Sequence, residues 1–236
     1  MRDSVPRQQI NDDRSHIEGV LRSSGWLSQC SDSLRTKLLK LGRVNRLEPG
    51  ETLFRYGDPP EGIFGVATGA VHIGVPADDG QELVIYHADK GFWVGDLELF
   101  SDGPRMATVT AATHTLCLFF SKPGLVDLLA AYPQFYRDFY RMSYENGYAI
   151  MRTLANMTVT GSDRRLALRI LQYDERKTDA DAWIAIAQSQ LAMTTALSLP
   201  TLERVLRKMA SAGLVEVGYG KIRILDRQGL RNLARS

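Results

Sequence analysis

Cysteine is scarce in this chain, with two residues, Cys30 and Cys117, among 236. Two thiols cannot build a disulfide framework or supply the four thiolates of a zinc or iron–sulfur centre, so both are read as buried. Long apolar runs are missing as well, and the stretch Met1–Gln9 has no apolar core. Neither a membrane span nor a secretory signal is read, and the expected setting is the cytoplasm, without a membrane partner. Histidine is sparse: His72, His87 and His114 stand alone in the sequence, without the His-x-His pair and nearby carboxylate that a cupin-type metalloenzyme uses. No Gly-x-Ser-x-Gly elbow occurs, and neither cysteine has a histidine near it in sequence. No metal or catalytic residue is assigned, and the enzyme reading stands behind the binding ones.

What is present has globular composition, 44% hydrophobic and 24% charged. The net charge of +2 hides an asymmetry: thirteen basic residues against eight acidic ones from Ser162 to Ser236, and sixteen against nineteen before them. An acidic front and a basic last third suggest different partners, a polyanion for the second.

From Val44 to about Ser121, glycines at 50, 57, 62, 69, 80, 91, 95 and 103 punctuate short apolar runs, which predicts an all-β domain. Gly62–Val75 reads as strand, tight turn at Thr68-Gly69 and strand; Asp78-Asp79-Gly80-Gln81 marks the next hairpin. Asp12–Ser23 and Ser31–Leu41 have helical spacing and are expected to cover one end. Ser121 caps a helix starting at Lys122-Pro123.

From Pro133 a long helix extends, with Tyr136, Tyr140, Ser143, Gly147, Ile150, Leu154 and Met157 on one seam. Packing on its own β-domain is one account of that seam; at about 36 Å the helix would overrun a small domain, so a parallel homodimer is preferred. Val159–Asp163 breaks the pattern, with Ser162 or Asp163 able to cap the next helix. The expected domains are therefore 12–132, 133–160 and 161–236.

Beyond the break, Arg164–Gln172 is helical, Trp183–Ala187 is a candidate strand, and two helices join sharply at Ala196-Leu197-Ser198 before a two-stranded ribbon over 213–225. Helix, turn, helix and hairpin outline a winged helix-turn-helix. Ser198 is the N-cap of the reading helix, Pro200 sits in its first turn, and Leu202, Val205, Leu206 and Met209 form its buried face. Thr201, Arg204, Arg207 and Lys208 then point outward: Arg204 suits guanine, while Arg207, Lys208, Lys221 and Arg223 suit phosphates. A solvated basic face is the plain alternative, and a ligand-binding module that does not touch DNA is the competing function. Leu199-Pro200 stands where polar base contacts would be expected, so readout is narrower or leans on DNA shape.

Gly95-Asp96-Leu97-Glu98-Leu99 and Pro104-Arg105-Met106-Ala107-Thr108-Val109-Thr110-Ala111 bracket a turn whose N–H groups and Arg105 can receive an anion, and Asp96 can accept from a sugar hydroxyl. This segment resembles the cyclic-nucleotide-binding domain, whose cassette runs Gly-Glu-x-Ala-Leu and Pro-Arg-x-Ala-Thr-Val-x-Ala. With the long helix and the winged module behind it, the chain is similar to the CRP/FNR family of transcription regulators over residues 15–225. The resemblance implies an α+β protein: a β jelly-roll sensor with flanking helices, a dimerisation helix and a C-terminal winged helix-turn-helix. It implies double-stranded DNA, a second copy of the chain and RNA polymerase as partners, and cyclic AMP or cyclic GMP as effector at Gly95, Asp96, Leu97, Arg105 and Met106. The positions that reach the purine fall at about Ile150 and Met151, which are apolar here. Asp96 and Glu98 replace the cassette's glutamate and alanine, so a different small ligand, or none, stays open. Two cysteines exclude the family's oxygen-sensing cluster, and His72 or His87 on a strand is more often hydrogen-bonded than a haem ligand.

Overall fold

The glycine-punctuated half of the chain forms two antiparallel sheets, and the helical periodicities on either side form the rest. The computed structural model describes residues 7–77, 82–101, 103–175 and 183–235. The chain divides into two compact units, Met1–Tyr148 and Ala149–Ser236, each with its own apolar core. The division falls inside the long helix.

In the first unit α1 (Arg7–Ser23), α2 (Gly25–Ser28) and α3 (Asp32–Leu41) precede the strands β1 (Arg43–Leu47), β2 (Thr52–Phe54), β3 (Gly62–Thr68), β4 (Val71–Pro76), β5 (Glu82–Ala88), β6 (Trp93–Val94), β7 (Thr108–Ala111) and β8 (Thr115–Ser121). One sheet has the order β1-β8-β3-β6 and the other β2-β7-β4-β5. The turn at Thr68-Gly69 forms, with Gly69 at φ 75° and His114 O only 2.1 Å from where a Cβ would sit. It does not close a hairpin: β3 stays in the first sheet and β4 enters the second, so Gly69 is a corner between sheets. The hairpin turn expected at Asp78-Asp79-Gly80-Gln81 lies outside the described residues. Cys30 and Cys117 are both buried, and burial pushes each thiol up to about 12, so neither is a thiolate at neutral pH.

Ser121 Oγ accepts from Gly124 N–H and caps α4 (Lys122–Ala131); a single 3-10 turn, Pro133–Phe135, leads into α5 (Tyr136–Met157). The start of α5 is anchored by aromatic packing, because Trp26 donates its indole N–H to Asp138 O at 2.8 Å and lies 5.1 Å from Trp93 and 5.2 Å from Phe139. The buried stripe of α5 is Phe139, Met142, Asn146, Ala149 and Thr153, one position away from the expected seam. Of that seam, Tyr136, Tyr140 and Leu154 are exposed and Ser143, Gly147, Ile150 and Met157 half-buried; Tyr144, Tyr148 and Met151 are exposed beside them. The helix carries two apolar stripes, and periodicity alone picks out only that one of the two exists.

The second unit holds the end of α5, then α6 (Ser162–Asp174), β9 (Ile184–Ala185), α7 (Gln188–Thr195), α8 (Leu199–Ser211), β10 (Val215–Gly218), β11 (Lys221–Ile224) and α9 (Arg227–Arg235). Gly161, at φ 93°, is the N-cap residue of α6 and gives no side-chain bond; Ser162 and Asp163, expected as caps, lie within the helix. The expected two-stranded ribbon has a third member, since β9 pairs with β11. Leu166, Ile170, Leu191, Leu202, Val205, Met209, Ile222 and Leu230 form the core. Within it Arg169 donates to Thr153 Oγ1 at 2.6 Å, to Gln172 Oε1 at 3.3 Å and to Thr194 O, while Gln172 donates to Ala149 O at 2.8 Å. These bonds fasten the end of α5 to α6 and α7.

Leu118 on β8 is fully buried, so truncating it removes transfer free energy and leaves a void. Leu118→Ala is expected to lower stability by about 2–5 kcal/mol in urea denaturation.

Candidate functional site

After β6 the chain makes the turn that carries the candidate effector residues and returns into β7. Its centre is Arg105, 1% exposed. Arg105 is fixed through its backbone, where its carbonyl accepts from Gly57 N–H at 2.9 Å and its N–H donates to Asp58 O at 2.8 Å. Its guanidinium donates through Nη1 to Gly95 O at 3.0 Å and through Nη2 to Gly62 O at 2.5 Å, and it stacks on the Phe54 ring at 4.0 Å. Gly95 sits at φ 87°, and a Cβ there would lie 2.6 Å from Nη1, so only glycine allows this approach.

Glu98 completes the arrangement. Its Oε2 accepts from Arg105 Nη1 at 3.3 Å and its Oε1 from Met106 N–H at 2.9 Å, with the Glu98 side chain 6% exposed. Burial pushes the Arg105 pKa down, and Glu98, Glu61 and Asp58 oppose that shift. Removing one member of such a buried pair strands the other charge, at about 3–5 kcal/mol.

Asp96 is also buried and is held from α5, where Asn146 Nδ2 donates to Asp96 Oδ1 and to Trp93 O, each at 3.0 Å. Burial raises the Asp96 carboxyl from its ordinary value of 3.8, against hydrogen bonds from Asn146 and Ser143. The first unit thus brings Gly95, Asp96, Arg105 and Met106 into one turn, while Leu97, Phe100 and Met106 stay largely exposed. A cavity of about 300 Å³ opens beside Arg105, lined by Phe54, Phe64, Asp58 and Glu61 among others, and not by Gly95, Asp96, Leu97 or Met106. Ile150, half-buried, and Met151, exposed, belong to the second unit. Glu98 and Asn146 are the partners that sequence reasoning did not supply. Glu98 was visible as a departure from the cassette, but not the direction in which it points.

The histidines of the sheet do not stand alone. His72 and His87 face each other across β4 and β5 with ring centroids 5.3 Å apart, and burial lowers the His72 pKa. Among the described residues no third histidine, cysteine or carboxylate joins them to hold a metal.

In the second unit α7 and α8 join at Ala196, φ 50°, and Ser198 Oγ accepts from Thr201 N–H to cap α8. Leu202, Val205, Leu206 and Met209 are buried; Arg204, Arg207 and Lys208 are exposed and Thr201 half-buried. Arg204 makes no hydrogen bond or ion pair among the described residues, whereas Lys208 is paired with Asp163. In the wing Arg223 pairs with Glu216, and both Arg223 and Lys221 lie over the Trp183 ring, at 5.0 and 4.4 Å. Tyr219, between Gly218 and Gly220 at the wing tip, is fully exposed. Glu216 faces Arg223 across the ribbon, whereas Asp163 and Trp183 are distant in sequence from Lys208 and Lys221, so no local pattern announces those two.

A family model described as the cyclic nucleotide-binding domain matches residues 44–132, and one described as the Crp-like helix-turn-helix domain matches 164–233. The chain is 24% identical over 224 residues to the CRP-like cAMP-activated global transcriptional regulator of Mycobacterium tuberculosis, covering 93% of this chain and 100% of the relative. It is 28% identical over 209 residues to the transcriptional activator protein FnrA of Stutzerimonas stutzeri, covering 84% and 82%. Among solved structures, FixK2 from Bradyrhizobium japonicum superposes with a TM-score of 0.72 at 20% identity, covering 81% of this chain and 96% of that one.

The raised Asp96 carboxyl has a sign that can be measured. Near pH 4 an unfolded aspartate ionises while native Asp96 keeps its proton, so the native state binds more protons and wild-type stability falls as pH rises toward the native pKa. Asp96→Asn removes that titration and leaves an acceptor for Asn146. Thermal melts of the two proteins should nearly coincide at pH 4, with the variant pulling ahead by pH 7; a constant gap would place the Asp96 pKa at its ordinary value.

Proposed function

The chain is a DNA-binding transcription regulator of the CRP/FNR family, and we propose that it acts as a homodimer whose two α8 helices enter successive major grooves. The observation that carries the DNA reading is α8 itself: a capped helix with one face buried and Arg204 outward, its charge acting on Asp163 but its side chain making no hydrogen bond or ion pair among the described residues. In this reading Arg204 bonds guanine O6 and N7 through its planar fork, Thr201 lies beside it, and Ser198 fixes the helix end. Arg207, Lys208, Lys221 and Arg223 meet phosphates. Lys208 and Arg223 would exchange Asp163 and Glu216 for phosphate oxygens, a small cost because those ion pairs are solvated. A regulatory module that leaves DNA alone has no use for this face.

The homodimer reading is supported by the outward stripe of α5. Tyr136, Tyr140, Tyr144 and Tyr148 recur every four residues, Met151 and Leu154 come next, and all six are exposed. Aromatic side chains at this density on one helix face are interface material. Two copies joined there would present half-sites one DNA turn, roughly 34–36 Å, apart. The domain class is one that takes cyclic AMP or cyclic GMP, and such a nucleotide would have to engage Arg105 and Asp96, which already bond Glu98 and Asn146; RNA polymerase is the machine a regulator of this class acts upon.

Binding to a DNA fragment selected from a random pool tests the interface. Arg204→Ala should weaken that complex by about 1–3 kcal/mol and random DNA little; equal losses would make Arg204 a phosphate contact. For the dimer, the double variant Tyr140→Glu, Tyr144→Glu should sediment as a monomer where the wild type sediments as a dimer. A variant that stays dimeric excludes this face of α5.

A further inference from the structure

We propose that Glu98 is a tethered anion: its carboxylate fills the seat that Arg105 and the Met106 N–H would offer a ligand phosphate, so the regulator works without a cyclic nucleotide. The inference rests on the reading of the first unit as the sensor of a DNA-binding regulator and specifies how that sensor is set. One carboxylate oxygen is 3.3 Å from Arg105 Nη1 and the other 2.9 Å from Met106 N. Two oxygens of one anion bridging a guanidinium and an adjacent main-chain N–H is the arrangement a bound phosphate would need. Both terminal nitrogens of Arg105 have further acceptors, while Nε is buried without one among the described residues. Nη1 and Nη2 also donate to the carbonyls of Gly95 and Gly62, and Phe54 covers one face of the guanidinium.

Charge points the same way. Glu98, Glu61 and Asp58 all act on the one guanidinium, and Glu98, the nearest of them in the hydrogen-bond geometry, is the one whose oxygens hold the contacts an incoming phosphate would need. Withdrawal of Glu98 is opposed because a side chain on the same turn competes as an intramolecular ligand, at an effective concentration on the order of millimolar or higher. Asp96 is engaged through Oδ1 by Asn146, while its Oδ2 is buried without a hydrogen-bond partner among the described residues. Glu98 stands where the cyclic-nucleotide cassette has alanine, a side chain too short to reach Arg105.

The test is calorimetric titration with cyclic AMP and cyclic GMP, together with thermal melts. Wild-type protein should give no saturable heat and no nucleotide-dependent shift in Tm. Glu98→Ala should bind at least one of the two nucleotides about tenfold or more above the wild-type limit and gain Tm from it, and Arg105→Ala added to that variant should abolish both effects. If Glu98→Ala does not fold, Glu98→Gln, which keeps the shape and loses the charge, takes its place with the same expectation at lower affinity. Saturable heat from the wild type that Arg105→Ala removes would overturn the proposal, and so would a folded Glu98 variant without nucleotide binding. On the selected DNA fragment the wild type should bind equally with and without nucleotide. Failure to bind any DNA would instead count against the regulator reading, and the calorimetry would still decide the role of Glu98.

Discussion

A guanidinium that cannot release its proton is enclosed at the centre of the first unit, and its compensation organises everything nearby. Arg105 gathers the Gly95 and Gly62 carbonyls, the Glu98 carboxylate and the Phe54 ring, while its own backbone is locked to Gly57 and Asp58. Separate segments thereby converge on one residue: the end of β2, the first residue of β3 and the turn after β6 on its side chain, and the connection between β2 and β3 on its backbone. The conformation of the turn is a consequence of solvating that charge inside protein. Gly95 has no side chain because the arginine occupies the space.

The second unit solves a related problem with largely neutral groups. Arg169, 1% exposed, donates to a hydroxyl, an amide oxygen and a main-chain carbonyl, and Gln172 links the same group to the last turns of α5. Because Thr153, Gln172 and Thr194 belong to three different helices, a shift of any one breaks bonds inside a buried network, where an unsatisfied donor is expensive. The end of α5, α6 and α7 therefore move as one piece.

Local chemistry was legible in the sequence and non-local pairing was not. The caps at Ser121 and Ser198, the buried and exposed faces of α8, the sharp join at Ala196 and the β-character between Val44 and Ser121 depend on neighbours within a few residues. The separation of β3 and β4 into different sheets depends on β8 and β7, far along the chain, and the tight turn at Gly69 looks the same either way. The third strand of the wing was present as Trp183–Ala187, yet its partner β11 comes more than thirty residues later. On α5 two apolar stripes lie side by side, and the residues that choose between them, Trp26 and Trp93, sit on other elements. Glu98 was conspicuous as a carboxylate out of place; that it turns inward is decided by Arg105 and the Met106 N–H together.

Ala196 holds a left-handed backbone conformation that costs a non-glycine residue roughly 1–2 kcal/mol. Its surroundings enforce it: Leu197 N–H donates to Ala192 O at 3.0 Å, and Arg165 Nη1 to the carbonyls of Thr195 and Ala196 at 3.2 and 3.3 Å. A hinge made of glycine would let α8 swing against α7. An alanine braced by an arginine fixes the angle between them, so in the proposed DNA reading the helix would meet a groove with its orientational freedom already lost. On that reading the entropy of docking would fall mainly on a few exposed side chains, and discrimination between sequences would be rigid-body fit, with no folding step to blur it.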